Sequence, residues 1–136
     1  MHQLLSISTQ GQGLYDFTTE VTSALKTNSC RNGLCTIFIR HTSCSLTIQE
    51  NADPSARRDL ENWLNRLVPE NDPLYTHTAE GPDDMPAHIK SILTQTSLSI
   101  PVIDGDLVLG VWQGVYLWEH RHDSQQREII VQLLSG

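Results

Sequence analysis

The 136-residue chain carries nine Lys and Arg against sixteen Asp and Glu, a formal charge of −7, with 38% hydrophobic and 18% charged residues. That length fits one domain able to bury a core without disulfides or metal, and the composition is too apolar for a disordered chain. The cations are few and scattered, with Arg57-Arg58 far from Arg121 and Arg127, so no basic stripe is available for duplex nucleic acid. No apolar run reaches the length of a membrane-spanning helix and no leader pattern opens the chain, so the expectation is a cytoplasmic protein without membrane or nucleic-acid partners.

In chain order, Leu4 to Thr9 and Leu14 to Thr18 read as strands joined by a hairpin-like Gln10-Gly11-Gln12-Gly13 turn. Thr18 or Thr19 can cap a short helix through Lys26, with Val21, Ala24 and Leu25 inward. After the Asn32-Gly33 turn, Cys35, Ile37 and Ile39 alternate as one strand, and Cys44, Leu46 and Ile48 as the next. Asp53-Pro54 then pairs a capping side chain with proline at the first helical position, opening a helix with a stripe of Ala56, Leu60, Trp63, Leu64 and Leu67.

A polar stretch from Pro69 to Pro82, too long for a mere connector, leads to a helix from Asp83 or Asp84 with a stripe of Met85, Ile89, Ile92 and Leu93. Beyond Ser97 the pattern is strand again, with Asp104-Gly105 as a two-residue hairpin turn. The run Leu107 to Trp118 is apolar on both faces, as in a central strand of a two-layer core or a strand covered by another subunit. One small domain has few elements to cover both faces, which favours a homo-oligomer. A last strand, Glu128 to Leu134, sends Ile129, Val131 and Leu133 inward. Strands at both ends around central helices predict an α+β fold of one domain, 1–136. Cys30, Cys35 and Cys44 lack paired metal or redox spacing and read as reduced thiols.

The chemistry-bearing residues are dispersed. His41 follows the inward parity of its strand, with Thr42, Ser43 and Ser45 beside it; His77 sits in the polar loop, where no apolar pattern demands it. His88 falls at the flank of a helix stripe, where a cleft would be lined. Each also fits an ordinary structural role. Together they offer neutral imidazoles to a divalent metal, with Glu80 and Glu119 as carboxylates for outer contacts or general-base work. Asp53 is explained by its cap, whereas Asn51 is not. Gln113, within the apolar run beside Trp112 and Gly114, reads as a buried amide needing a partner, from the protein or from a ligand. His120-Arg121-His122-Asp123 reads as a solvated turn.

Three blocks, His41 to Pro54, Glu80 to Lys90, and Ser97 to Val102 followed by Leu109 to Leu117, resemble the YjbQ family in sequence and order over nearly the whole chain. Val111 and Cys44 depart from that pattern, which favours threonine and alanine there. The resemblance implies a trimeric α+β domain with a mixed or antiparallel sheet and about three helices. It also implies a polar cleft near the subunit boundary and a low-level thiamine phosphate synthase activity, joining an aminopyrimidine methyl diphosphate to a thiazole phosphate. The site positions it carries over are His41, Asn51, Asp53, His77, His88, Trp112 and Gln113. The expectation is a metal-assisted enzyme. Its zinc or magnesium would be held by His41, His77 and His88, with Asp53, Glu80 and Asn51 as catalytic groups and Trp112, Gln113 and Lys90 on a small-molecule substrate. A departing diphosphate needs positive charge, for which Lys90, Arg121 and Arg57 are the only obvious cations. The competing expectation is a non-catalytic protein that binds a small ligand or metal.

Overall fold

The computed structural model describes residues 1–136. Its elements are β1 (His2–Gln10), β2 (Gly13–Asp16), α1 (Thr18–Thr27), β3 (Gly33–Ile39), β4 (Cys44–Glu50), α2 (Pro54–Leu67), α3 (Asp84–Leu93), β5 (Ser97–Ile103), β6 (Asp106–Leu107), β7 (Gln113–Glu119) and β8 (Ser124–Ser135). All strand pairings are antiparallel. They form a five-stranded sheet in the order β1-β8-β3-β5-β6 and a three-stranded sheet in the order β2-β7-β4.

The two sheets face one another across the main core. Period-2 alternation places Cys35, Ile37 and Ile39 of β3, Ile100 and Val102 of β5, and Ile129, Val131 and Leu133 of β8 on the inner face of the larger sheet. Cys44, Leu46, Val115 and Leu117 answer from the smaller one, and α1 closes one end with Val21, Ala24 and Leu25. Each such fully buried aliphatic side chain contributes roughly 1.5–3 kcal/mol. The opposite face of β7 is covered too. Tyr116 and Trp118 pack with Leu14 against Leu64 and Val68 at the α2 end. β7 is therefore a central strand clad on both sides by its own chain, which accounts for its apolar character without a second subunit.

Several local expectations are corrected. The Gln10–Gly13 segment does not join hairpin partners: β1 pairs with β8 and β2 with β7, so it is a corner between sheets. Gly11 and Gly13 take φ of 109° and 147° there, a region that side chains other than glycine rarely adopt. β3 and β4, consecutive in the chain, belong to different sheets. The expected Thr18 cap is employed elsewhere: its hydroxyl donates to Asp16 Oδ1 at 2.7 Å and accepts from Val115 N at 2.8 Å. The Asp104-Gly105 hairpin stands, with both φ values positive as its two-residue connection needs. Residues 108–112, expected as strand, instead form a loop. Gln113 is exposed, and its amide oxygen accepts from Gly110 N at 2.7 Å rather than bridging buried strands.

The helices bury other faces than their hydrophobic stripes predict. On α2, Leu64 is buried with Leu60 and Val68 alongside, while Trp63 and Leu67 are half exposed. On α3, Ile92 and Leu93 are 81% and 55% exposed, and Asp84, Ala87, Lys90 and Ser91 are buried. Polar partners explain this orientation. Ser91 Oγ donates to Cys44 O at 3.2 Å, Lys90 Nζ to Asn65 Oδ1 at 2.6 Å, and Asp84 Oδ1 accepts from Arg121 Nη1 at 2.8 Å. All three cysteines are free and buried, with burial pushing the Cys35 and Cys44 thiols up to about 11 and about 12.

Candidate metal centre

At the end of the smaller sheet where Cys44 faces Glu119, the chain leaves β7 through His120 and Arg121. Only the second half of the His120–Asp123 segment is the solvated turn expected: His122 and Asp123 are exposed, whereas His120 is buried and Arg121 partly so. His120 is 1% exposed, hydrogen-bonded through Nε2 to Ser45 Oγ at 2.9 Å. Burial, together with the Lys90 and Arg127 charges, drives its pKa down to about 3, so the ring is neutral. Arg121 is a brace. Its Nε donates to Asp83 Oδ2 at 3.0 Å, Nη1 to Asp84 Oδ1 at 2.8 Å and Nη2 to Glu80 O at 2.9 Å. Burial works against the Asp83 charge, but the His122 N–H and the Arg121 guanidinium outweigh it and hold the carboxyl below its ordinary range.

This brace fixes Asp84 at the first turn of α3 with one oxygen engaged and the other aimed outward from the brace. Oδ2 lies 2.8 Å from His77 Nε2 and 3.5 Å from His88 Nε2, at ion-pair distance but with neither ring nitrogen aligned as a hydrogen-bond donor, and its side chain is only 3% exposed. Asp84 and His88 are one helical turn apart, on one face, while the Pro69–Pro82 loop brings His77 over them. The two imidazole rings stand edge to face with centroids 5.3 Å apart. The three donor atoms lie within 4.8 Å of one another. Two imidazole nitrogens around a buried carboxylate oxygen are what a divalent cation of the zinc type binds, and this nitrogen–oxygen donor set fits such an ion. The residues present fit the group.

His41 does not join them. Its Nε2 accepts the Glu128 N–H at 2.9 Å, which fixes that nitrogen as the unprotonated one and leaves the ring proton on Nδ1. Burial, then the Arg127 charge, lowers its pKa and keeps the ring neutral. With one nitrogen accepting and the other protonated, His41 is no ligand in this arrangement. It does line, with Thr42, His88, Ser91 and Thr96, a cleft of about 480 Å³. A smaller cleft of about 290 Å³, lined by Asn71, Tyr75, His77 and Met85, meets the cluster at His77.

The remaining predicted residues lie elsewhere. Asp53 caps α2, accepting from Ser55 N at 2.9 Å, and these Ser55 bonds lower its pKa. Asn51 N donates to Trp112 O at 3.0 Å, and its side-chain amide to Gln113 O at 3.3 Å. Asn51, Asp53, Trp112 and Gln113 thus gather at the Glu50–Gln113 end of the sheet. Six strand steps, about 20 Å, separate that end from Glu119. Glu80 is near the cluster but exposed, 3.9 Å from Arg121 Nη1. Lys90 faces the opposite side of α3 and contacts Asn65. Sequence reasoning missed Asp84. The signal was the Asp83-Asp84 doublet, since a helix start explains only one of the two.

Comparison with known proteins fits this architecture. The family model described as UPF0047 protein YjbQ-like matches residues 3–136. The UPF0047 protein sll1880 of Synechocystis is 52% identical over 95% of this chain and 88% of its own length. The UPF0047 protein YjbQ of Escherichia coli O157:H7 is 43% identical over 95% and 94%. The crystal structure of the conserved hypothetical protein TT1486 from Thermus thermophilus superposes with a TM-score of 0.87 at 39% identity, covering 97% of this chain and 99% of that one. The chain belongs to the UPF0047 YjbQ-like family.

Proposed function

We propose that this protein is a cation-dependent enzyme acting on a small oxyanion-bearing substrate in the cleft between His41 and His88. The observation that carries the reading is the buried Asp84 Oδ2 between two imidazole nitrogens, neither aligned to donate to it. His77, Asp84 and His88 would hold the ion, which would supply Lewis-acid charge to a substrate oxygen. Arg121 fixes the Asp84 carboxylate so that the free oxygen cannot swing away. His41, neutral with its proton on Nδ1, is suited to donating a hydrogen bond to a substrate in the shared cleft. Glu80, exposed beside Arg121, lines neither cleft and would have to turn toward the ion to act as a base.

The narrower reading is thiamine phosphate synthesis, with loss of diphosphate. Here the leaving group demands positive charge, and the chain's own candidates are committed or turned away from the His77–His88 cluster. Arg121 is held by Asp83 and Asp84, Arg57 donates to Tyr116 Oη, and Lys90 is buried on the far side of α3 beside Asn65. A bound cation would therefore be the source of that charge. Exposed Leu34, Phe38 and Leu134 on the outer face of the larger sheet, and Trp112 in its loop, are surface that a trimer would cover. Such an assembly is also the route by which the Asn51–Trp112 region of one copy could approach the histidines of another.

Elemental analysis after dialysis against zinc or manganese tests the centre: about one ion per chain is expected, lost in His77→Ala, Asp84→Asn and His88→Ala. Diphosphate release from the aminopyrimidine diphosphate, with and without the ion, tests the narrower reaction. Equal metal content in the variants would overturn the assignment.

A further inference from the structure

A second pocket lies across α3 from the metal centre and uses none of its residues. Its volume is about 220 Å³, and its lining comes from the β1–β2 corner (Gln12), α2 (Glu61, Asn62, Asn65), α3 (Lys90) and His120. Lys90 and His88 are two residues apart, about 200° around the helix, so they serve different faces. Lys90 is 2% exposed, and its ammonium has one hydrogen-bond partner, the neutral Asn65 Oδ1 at 2.6 Å. It forms no ion pair within 4.0 Å, whereas Arg127, the other buried cation, is bonded twice to Glu119.

An ammonium carries three donors, so this one has capacity left in a place where solvation is poor. Burial opposes the Lys90 charge and lowers its pKa, and Glu70 and Asp83 favour the charge only from beyond 4.0 Å. Buried titratable groups so short of partners are enriched at binding sites. The rest of the lining does not supply the counter-ion. Glu119 is consumed by Arg127 and Thr9, and His120 is neutral and bonded to Ser45. Glu61 has its Oε2 taken by the Leu14 N–H at 2.8 Å. The exposed Asn62 and Asn65 amides add N–H donors at the mouth.

We propose that this pocket is a second ligand site, for a small molecule whose oxyanion, a carboxylate or a phosphate, sits on Lys90 Nζ. A neighbouring N–H or O–H on the ligand would answer the free oxygen of Glu61. The site is independent of the metal centre and stands or falls without it.

Titration calorimetry of the chelator-treated protein with inorganic phosphate, and separately with acetate, tests it. One saturable site is expected for at least one of the two, weakened about tenfold or more in Lys90→Met and unchanged in His88→Ala. Asn65→Ala, a substitution at an exposed position, should weaken it severalfold and decides the matter should Lys90→Met fail to fold. Absence of saturable binding for both anions, or equal binding by wild type and these Lys90 and Asn65 variants, overturns the proposal.

Discussion

Two buried carboxylates, each braced by an arginine, have opposite surroundings. Glu119, fully buried, accepts from Thr9 Oγ1 and Arg127 Nε at 2.7 Å on one oxygen. Its other oxygen takes Arg127 Nη2 and the backbone N–H groups of His120 and Arg121. Asp84, nearly as buried, is braced by Arg121 on one oxygen, while its other oxygen faces two imidazole nitrogens with no aligned donor. A saturated carboxylate is a structural element, because every lone pair repays part of its desolvation. One left open between two imidazoles is unfavourable in the isolated chain and favourable once a cation is shared. The contrast separates what holds this fold together from what it is built to hold.

The largest effect expected from this contrast is at Glu119. Glu119→Gln leaves the Arg127 guanidinium buried without its counter-charge and should cost about 3–5 kcal/mol in urea unfolding. Asp84→Asn in metal-free protein should instead stay within about 1 kcal/mol of wild type, or exceed it, since Arg121 keeps its acceptor. A loss equal to that of Glu119→Gln would erase the distinction. Between these lies the cation itself. Zinc at a hundredfold excess over its dissociation constant should stabilise wild type by about 2.7 kcal/mol and leave Asp84→Asn unmoved.

The pH dependence sharpens the same boundary. His120 in the folded chain titrates at about 3 instead of 6.5. Below about pH 6.5 the unfolded chain therefore binds a proton that the folded one refuses. Stability falls from there toward pH 3, by up to about 1.4 kcal/mol per unit. His41, also lowered, acts in the same direction. His120→Gln should flatten the acid limb of the stability curve, measured by urea midpoints from pH 4 to 7. An unaltered slope would remove His120 from the account.

Much of the fold was legible because it is local. Alternation located β3, β4, β5 and β8, Asp53-Pro54 located α2, and Asp104-Gly105 located the β5–β6 hairpin. Sheet membership was not legible, since β1 pairs with β8 more than a hundred residues away and no local signal selects that partner. The face that α3 buries was hidden for a related reason. Hydrophobic periodicity counts apolar side chains, while this helix is turned inward by Asp84, Lys90 and Ser91, whose partners Arg121, Asn65 and Cys44 come from other elements. The candidate site was half legible. His77 and His88 were selected, but His41 was grouped with them, and only its bond from the Glu128 N–H shows that its Nε2 is committed. Asp84 was hidden behind its position at a helix start.

The central claim is that His77, Asp84 and His88, and not His41, form a cation site. The visible absorption spectrum of the cobalt(II)-substituted protein tests it most directly. A d–d spectrum from a nitrogen- and oxygen-bound ion should saturate at one equivalent, be retained in His41→Ala, and vanish in Asp84→Asn and His88→Ala. A spectrum that survives in Asp84→Asn, or is lost in His41→Ala with the fold intact, would contradict the account.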